Sequence, residues 1–150
     1  MSNLSAFLAE NAAKVEAIPY VASKRFFTKV KNEKTGKEEK KYEEWKIGCV
    51  TGEEDEKIRK SCVKRVQVPG KRNMFQPETD INEYMAKLAV RCTVWPDLND
   101  TDLQKSYGVM SAEELLRTML TPGEYQDYLN KVQEANGFNS MEELVDQAKN

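Results

Sequence analysis

The chain contains no histidine among its 150 residues. Histidine is the commonest general base in enzymes and the commonest metal ligand in proteins, so its absence removes both roles. A Ser–His or Cys–His nucleophile cannot be assembled from this chain alone. The acidic pairs lie at predicted helix starts, where carboxylates complete caps and interact favourably with the helix dipole. We therefore predict a protein that is not an enzyme, with no catalytic residue, no metal site and no cofactor.

Cysteines and long apolar runs are also scarce. The three cysteines, Cys49, Cys62 and Cys92, form no C-x-x-C pair and each lies in an apolar pattern. This favours reduced core residues of a cytoplasmic protein. Glu10 interrupts the N-terminal apolar stretch, and no run approaches the roughly 20 residues of a membrane span. We expect neither a signal peptide nor a membrane contact.

An excess of charge of one sign is missing as well. The 23 basic and 25 acidic side chains give a net charge of -2, which argues neither for nor against nucleic-acid binding. The length fits one domain, and an apolar content of 39% is sufficient for a hydrophobic core.

The first half of the chain predicts a short helix followed by a β-hairpin. Residues 3–14 carry apolar side chains at helical spacing, namely Leu4, Phe7 and Leu8. Residues 20–30 and 44–50 alternate apolar and polar side chains with the period of two that half-buried strands show. The charged stretch 31–43 between them predicts a solvated hairpin tip.

A capped helix and a loop follow the hairpin. Thr51-Gly-Glu-Glu54 has the hydroxyl and carboxylate spacing of a capping box, and predicts a helix over 51–64. Pro69-Gly70 punctuates the next segment, so residues 67–79 are predicted to form a loop.

The second half predicts a string of short helices with a cap at each start. The expected N-caps are Asp80, Asn99 or Asp100, Ser111, Thr121 and Ser140. Short connections favour adjacent packing of such helices. The predicted fold class is α+β, in a single domain of 150 residues. It comprises a hairpin-plus-helix unit (1–66), a loop (67–79) and a bundle of short helices (80–150).

The hairpin is the first candidate site, because lysines cluster on it near Tyr42 and Trp45. Such a stripe is what a nucleic-acid-binding surface requires. Interleaved glutamates cancel much of its field, so we interpret it as a solvated tip and do not expect nucleic-acid binding. A regulator that binds nucleic acid through the hairpin is kept as an alternative.

The second candidate site is the apolar concentration of the helical unit. Its members are Met110, Leu115, Leu116, Met119, Leu120, Tyr125, Tyr128 and Leu129. Most of this set is expected to form helix–helix core. Met and Tyr also adapt to varied apolar surfaces, so part of the set is predicted to bind a partner.

The helical unit contains four segments that are informative together: Asp97-Leu-Asn-Asp100, Leu103-Gln-Lys-Ser-Tyr107-Gly108-Val-Met110, Ala112-Glu-Glu-Leu-Leu116 and Met119-Leu120-Thr-Pro-Gly-Glu-Tyr125. With these segments the chain resembles a known family, the XkdN-like tail assembly chaperones of tailed phages and phage-derived elements. The resemblance covers nearly the full length and is strongest over 80–147. These motifs are structural, so they indicate a family and not a catalytic site.

The resemblance implies a non-enzymatic assembly factor that acts in the host bacterial cytoplasm and is absent from the mature virion. Its implied partners are the phage tape measure protein and the tail tube protein. A tape measure is long, helical and apolar, and amphipathic helices could cover it. A minor structural tail protein is the alternative within the same biology. Self-association is a further expectation.

In many tail chaperones a longer form arises by programmed frameshifting near the end of the first gene. The sequence here closes on Ala148-Lys149-Asn150. If these codons read GCA-AAA-AAC, they contain a heptamer that permits a -1 shift. A longer frameshifted form of the chain is therefore a hypothetical partner. The nucleotide sequence would show whether the slippery heptamer is present.

Overall fold

A computed structural model describes residues 4–138, and within them the chain forms seven strands and five α-helices. The strands are β1 (Ile18–Tyr20), β2 (Phe27–Lys31), β3 (Glu38–Tyr42), β4 (Trp45–Ile47), β5 (Val63–Gln67), β6 (Phe75–Thr79) and β7 (Thr93–Trp95). The helices are α1 (Gly52–Ser61), α2 (Ile81–Cys92), α3 (Thr101–Ser106), α4 (Ala112–Met119) and α5 (Pro122–Ala135). The predicted α+β class is confirmed. The predicted helix that begins at Ser140 lies outside the described residues.

The strands form one small sheet and two separate hairpins. The sheet has the order β1-β4-β7, with both pairs antiparallel. Its central strand β4 buries Trp45 and Ile47 and exposes Lys46, which confirms the alternation predicted for this segment. The hairpins pair β2 with β3 and β5 with β6.

The hydrophobic core lies where helices α2, α4 and α5 pack beside the small sheet. Each helix contributes fully buried side chains, such as Leu88, Leu115 and Val132. The expectation that most of the apolar set in α4 and α5 forms helix–helix core is therefore confirmed. In α2, Ile81 stands at the first turn and is 57% exposed.

Aromatic rings join the sheet to α5. The rings of Trp45 and Tyr128 meet edge to face, with centroids 5.2 Å apart. Thr93 at the start of β7 donates its hydroxyl to the carbonyl of Ala89, so the Tyr128 hydroxyl donates to Thr93 Oγ1 at 2.6 Å. Burial raises the pKa of Tyr128 above that of a solvated tyrosine. Trp95, at the other end of β7, is largely exposed.

Side-chain caps start the helices at the predicted residues. Thr51 and Thr121 form complete capping boxes with Glu54 and Glu124. In the second of these, Thr121 Oγ1 accepts from the Glu124 amide at 3.3 Å and Glu124 Oε1 accepts from the Thr121 amide at 2.9 Å. The remaining N-caps are Asp80, Asp100 and Ser111. The cap predictions for these five helices are confirmed, because each signal lies within four consecutive residues.

The helix predicted over 3–14 is wrong. A single 3-10 turn covers Leu4–Phe7, and an irregular segment follows it. Leu4, Phe7 and Leu8 are all exposed. Helical spacing alone did not suffice here because no described element packs against these side chains, and a short isolated helix is marginal in water.

Two further predictions about the first half are wrong. Residues 38–42 of the supposed hairpin tip form strand β3, which pairs with β2 from Phe27↔Tyr42 to Lys31↔Glu38. The supposed loop 67–79 belongs mostly to a second hairpin, in which Gly70 takes a φ of +76° in the connection. Strands β3, β5 and β6 are almost entirely exposed and carry few apolar side chains, so they lack the apolar alternation by which strands are recognised.

The cysteine prediction is correct for two of the three side chains. Cys62 and Cys92 are buried, and burial raises the pKa of the Cys92 thiol. Cys49 is exposed, and its thiol donates to the carbonyl of Ala135 at 2.7 Å. No helix within 4–138 is long and apolar enough to cross a membrane.

Candidate functional site

The eight candidate residues do not form one surface. Leu115, Leu116, Met119, Leu120 and Tyr128 are buried in the core. A partner cannot reach these five side chains while the fold is intact.

The other three candidates have different surroundings. Met110 is 93% exposed in the connection between α3 and α4. Tyr125 is half-buried, and both it and Leu129 line a cleft. Of the eight residues, Met110 and Tyr125 remain available to a partner, whereas Leu129 is 7% exposed and belongs mainly to the core.

The cleft lies between α2 and α5 and encloses about 1330 Å³. We name it the α2–α5 groove. Its apolar surface is provided by Ile81, Tyr84, Met85, Tyr125, Leu129 and Phe138. The groove is large and partly apolar, as sites for protein segments are.

The groove begins at the cap of α2, where charged groups surround its apolar surface. Lys64 Nζ lies 3.7 Å from a carboxylate oxygen of Asp80, the N-cap of α2. Lys87 Nζ lies 2.9 Å from Glu83, and this contact raises the pKa of the Lys87 ammonium. Arg117 from α4 also lines the groove, and among residues 4–138 it forms no ion pair. An acidic group on a bound segment can therefore pair with this guanidinium.

Tyr84 fixes one wall of the groove to α1. Its hydroxyl donates to Asp55, whose other oxygen accepts from Arg59 Nε at 3.1 Å. The Arg59 guanidinium also lies over the Tyr84 ring, 4.5 Å from its centroid. Burial and the Asp55 contact raise the pKa of Tyr84 to about 12. The wall is thus held by a hydrogen bond, an ion pair and a cation–π contact.

The end of α5 is fixed in a similar way. Gln133 Nε2 lies 2.9 Å from Met85 Sδ, which joins the two helices across the groove. The C-cap of α5, Asn136, donates to the carbonyl of Val132 at 2.8 Å and accepts from the Val50 amide at 3.0 Å. The groove therefore has a preformed shape, which lowers the entropic cost of binding a partner.

The groove offers apolar surface with charged groups at its edge. Residues 4–138 hold no cluster of three or more Cys, Asp or Glu side chains that could bind a metal ion. Over the same range, every buried side-chain nitrogen and oxygen has a hydrogen-bond partner.

Sequence reasoning found part of the groove. Tyr125 and Leu129 were among the candidates, whereas Ile81, Tyr84, Met85 and Phe138 were not. Ile81 and Met85 belong to the apolar stripe of α2, but the stripe alone does not tell a groove from core. The missing information is which helix lies opposite, and that depends on tertiary packing.

The comparisons with known proteins agree with this fold. A family model described as "Phage XkdN-like tail assembly chaperone protein" matches residues 4–149. The chain is 28% identical over 150 residues to the phage-like element PBSX protein XkdN of Bacillus subtilis (strain 168), covering 99% of this chain and 94% of that protein. It is 28% identical to YqbN of the same organism, covering 99% of this chain and 93% of that protein. The crystal structure of YqbN matches with a TM-score of 0.70 and 24% identity, over 93% of this chain and 99% of that chain, which shows a shared fold.

Proposed function

Since this chain belongs to the XkdN-like phage tail assembly chaperone family, we propose that it binds the tape measure protein and assists assembly of the tail tube. It acts in the host bacterial cytoplasm and leaves before the virion is complete. Binding, and not catalysis, is its contribution.

The α2–α5 groove is the observation that carries this proposal. Helix α5 has 14 residues, so at 1.5 Å per residue the groove has a wall of about 21 Å. That length suits three to four turns of a partner helix. An amphipathic helix whose apolar stripe repeats at i, i+3 and i+4 would place it against Met85, Tyr125 and Leu129.

The exposed apolar side chains at the groove margin support the same proposal. Ile81 is 57% exposed and Phe138 is also exposed, although both adjoin an apolar cleft. Binding of a partner segment in the groove would bury their exposed surface. Because each is already about half covered, burying the rest contributes roughly 1 kcal/mol per side chain, or about fivefold in affinity.

Co-purification with the tape measure protein tests the proposal. The parent chain, Ile81→Asp and Val94→Asp are each co-expressed with tagged tape measure protein from the same phage element. Val94 is a matched control because it is also 57% exposed but lies on β7, away from the groove. Circular dichroism verifies that each variant is folded.

We expect the parent and Val94→Asp to co-purify with the tape measure protein and Ile81→Asp not to do so. Failure of the parent to co-purify with the tape measure protein contradicts the proposed function. Retention of Ile81→Asp at parental levels assigns binding to another surface, such as that around Met110. The tail tube protein is tested with the same three chains.

Mass spectrometry of purified particles separates the chaperone from a structural role. A chaperone is absent from finished particles, whereas a minor tail subunit is present at a fixed ratio to the tube protein. Detection of the chain at such a ratio would replace the chaperone proposal with the structural one.

A further inference from the structure

The register of the β2–β3 hairpin sorts its charges by face. Directly opposed residues in an antiparallel pair share a face, and neighbours along a strand alternate. One face, which we name the lysine face, carries Phe27, Lys29, Lys31, Glu38, Lys40 and Tyr42. The other face carries Thr28, Val30, Glu39 and Lys41. The alternation of charges along the sequence therefore does not neutralise the lysine face.

Two lysines on the lysine face repel each other, and no carboxylate of the hairpin pairs with them. Lys29 lies directly opposite Lys40, and like charges in that position are destabilising. Glu38 is the one carboxylate of the paired residues on this face, and it lies opposite Lys31 at the far end. Within residues 4–138, none of these three lysines has a carboxylate within 4 Å. With three lysines and one glutamate, the face is positively charged and complementary to an anionic ligand.

The aromatic rings decide which class of anion fits. Lys40 Nζ lies over the ring of Phe27, 4.7 Å from its centroid, and Lys24 Nζ lies over the ring of Tyr42 at 5.9 Å. Single-stranded nucleic acid binds such surfaces by stacking bases on open ring faces. Here each ring already has an ammonium group over it, so stacking would displace a cation–π contact. Carboxylates can pair with the lysines while the rings keep these contacts.

We propose that the lysine face binds an acidic segment of a partner protein. Its carboxylates pair with Lys29, Lys31 and Lys40, and apolar groups of the segment cover the exposed edges of Phe27 and Tyr42. Alternate side chains on a strand are about 7 Å apart, close to the spacing of carboxylates one turn apart on a helix. The face is separate from the α2–α5 groove, so this site stands or falls independently of the tape measure proposal.

Two single substitutions on adjacent residues of β3 give a matched test. Lys40→Glu and Lys41→Glu make the same charge change on exposed neighbours that point to opposite faces. Each full-length variant is titrated by fluorescence anisotropy against a labelled poly-glutamate peptide at low ionic strength. A thymidine oligonucleotide of equal charge is titrated in parallel.

We expect the peptide to bind the parent, Lys40→Glu to weaken binding about tenfold or more, and Lys41→Glu to change it less than about threefold. Lys40→Glu keeps the fold because it replaces a Lys–Lys pair with an opposite-charge pair. No binding to the parent, or equal losses in both variants, overturns the proposal. Tighter binding of the oligonucleotide that depends on Lys40 assigns the face to nucleic acid instead and also overturns it.

Discussion

The Tyr84 hydroxyl, which joins α2 to α1 through Asp55, makes the stability of the fold depend on pH. Its raised pKa of about 12, against 10.0 for a solvated tyrosine, means that the folded state retains a proton that the unfolded chain releases earlier. The stabilisation is therefore complete below pH 10 and is lost as the pH rises towards 12. Two pKa units correspond to at most about 3 kcal/mol.

We predict that Tyr84→Phe changes how the free energy of unfolding depends on pH above pH 10. At neutral pH the variant is less stable than the parent because Asp55 loses its hydroxyl donor. Between pH 10 and 12 the difference in free energy of unfolding between parent and variant narrows, because only the parent has a Tyr84 hydroxyl to ionise. Urea unfolding at several pH values measures this difference. A difference that stays constant between pH 10 and 12 would contradict the raised pKa of Tyr84.

Thiol accessibility gives a second prediction for single residues. Cys49 is exposed, whereas Cys62 and Cys92 are nearly inaccessible. We expect one thiol to react rapidly with an aromatic disulfide reagent in the native protein, and all three to react in denaturant. Cys49→Ser removes the rapid phase. Rapid reaction of two or more thiols in the native state would show that the core opens more readily than its packing implies.

Sequence reasoning was least successful for the roles of single residues. Leu115 and Met110 both fit an apolar pattern, yet the first is buried and the second is 93% exposed. Burial depends on which helix packs opposite, and the sequence pattern carries no such information. In the same way, the lysines of β2 and β3 could be assigned to a face only after the strand register was known.

Helix α5 is the element whose start depends most clearly on a cap. Thr121 and Glu124 exchange side-chain-to-amide hydrogen bonds, and Pro122 occupies the first helical position. We predict that Thr121→Ala lowers the free energy of unfolding by about 1 kcal/mol. Thr118→Ala, on the exposed side of α4, is the control and should change stability by less than about 0.5 kcal/mol. Chemical denaturation checks both variants, and equal effects would argue against the cap.

The contrast between helices and hairpins explains which elements were predictable. A cap is a local signal of about four residues, and each of the five described helices begins at such a signal. Strands β3, β5 and β6 carry few apolar residues on either face, so they resemble loops in the sequence. Their pairing depends on backbone hydrogen bonds to a partner strand, which no local pattern specifies.

Across the whole molecule, stability is expected to be uneven. Helix α2 contains several fully buried side chains and packs against α1, α4 and α5. Both strands of the β2–β3 hairpin are exposed throughout. We predict that α2 amides exchange with solvent slowly, near the rate of global unfolding, and that hairpin amides exchange orders of magnitude faster.

Hydrogen exchange followed by mass spectrometry measures this difference directly. Addition of the poly-glutamate peptide should slow exchange in the β2–β3 hairpin and leave α2 unchanged. Protection of the free hairpin to the same level as α2 would mean that it belongs to the cooperative core.

The two tryptophans occupy opposite environments and so give the protein two optical reporters. Trp45 is 2% exposed and packs edge-on against Tyr128, whereas Trp95 is 56% exposed on β7. The emission of Trp45 is expected at shorter wavelength and shielded from acrylamide, and that of Trp95 at longer wavelength and readily quenched. Trp95→Phe would leave Trp45 as the single tryptophan, whose emission follows the folding of the core without any added label.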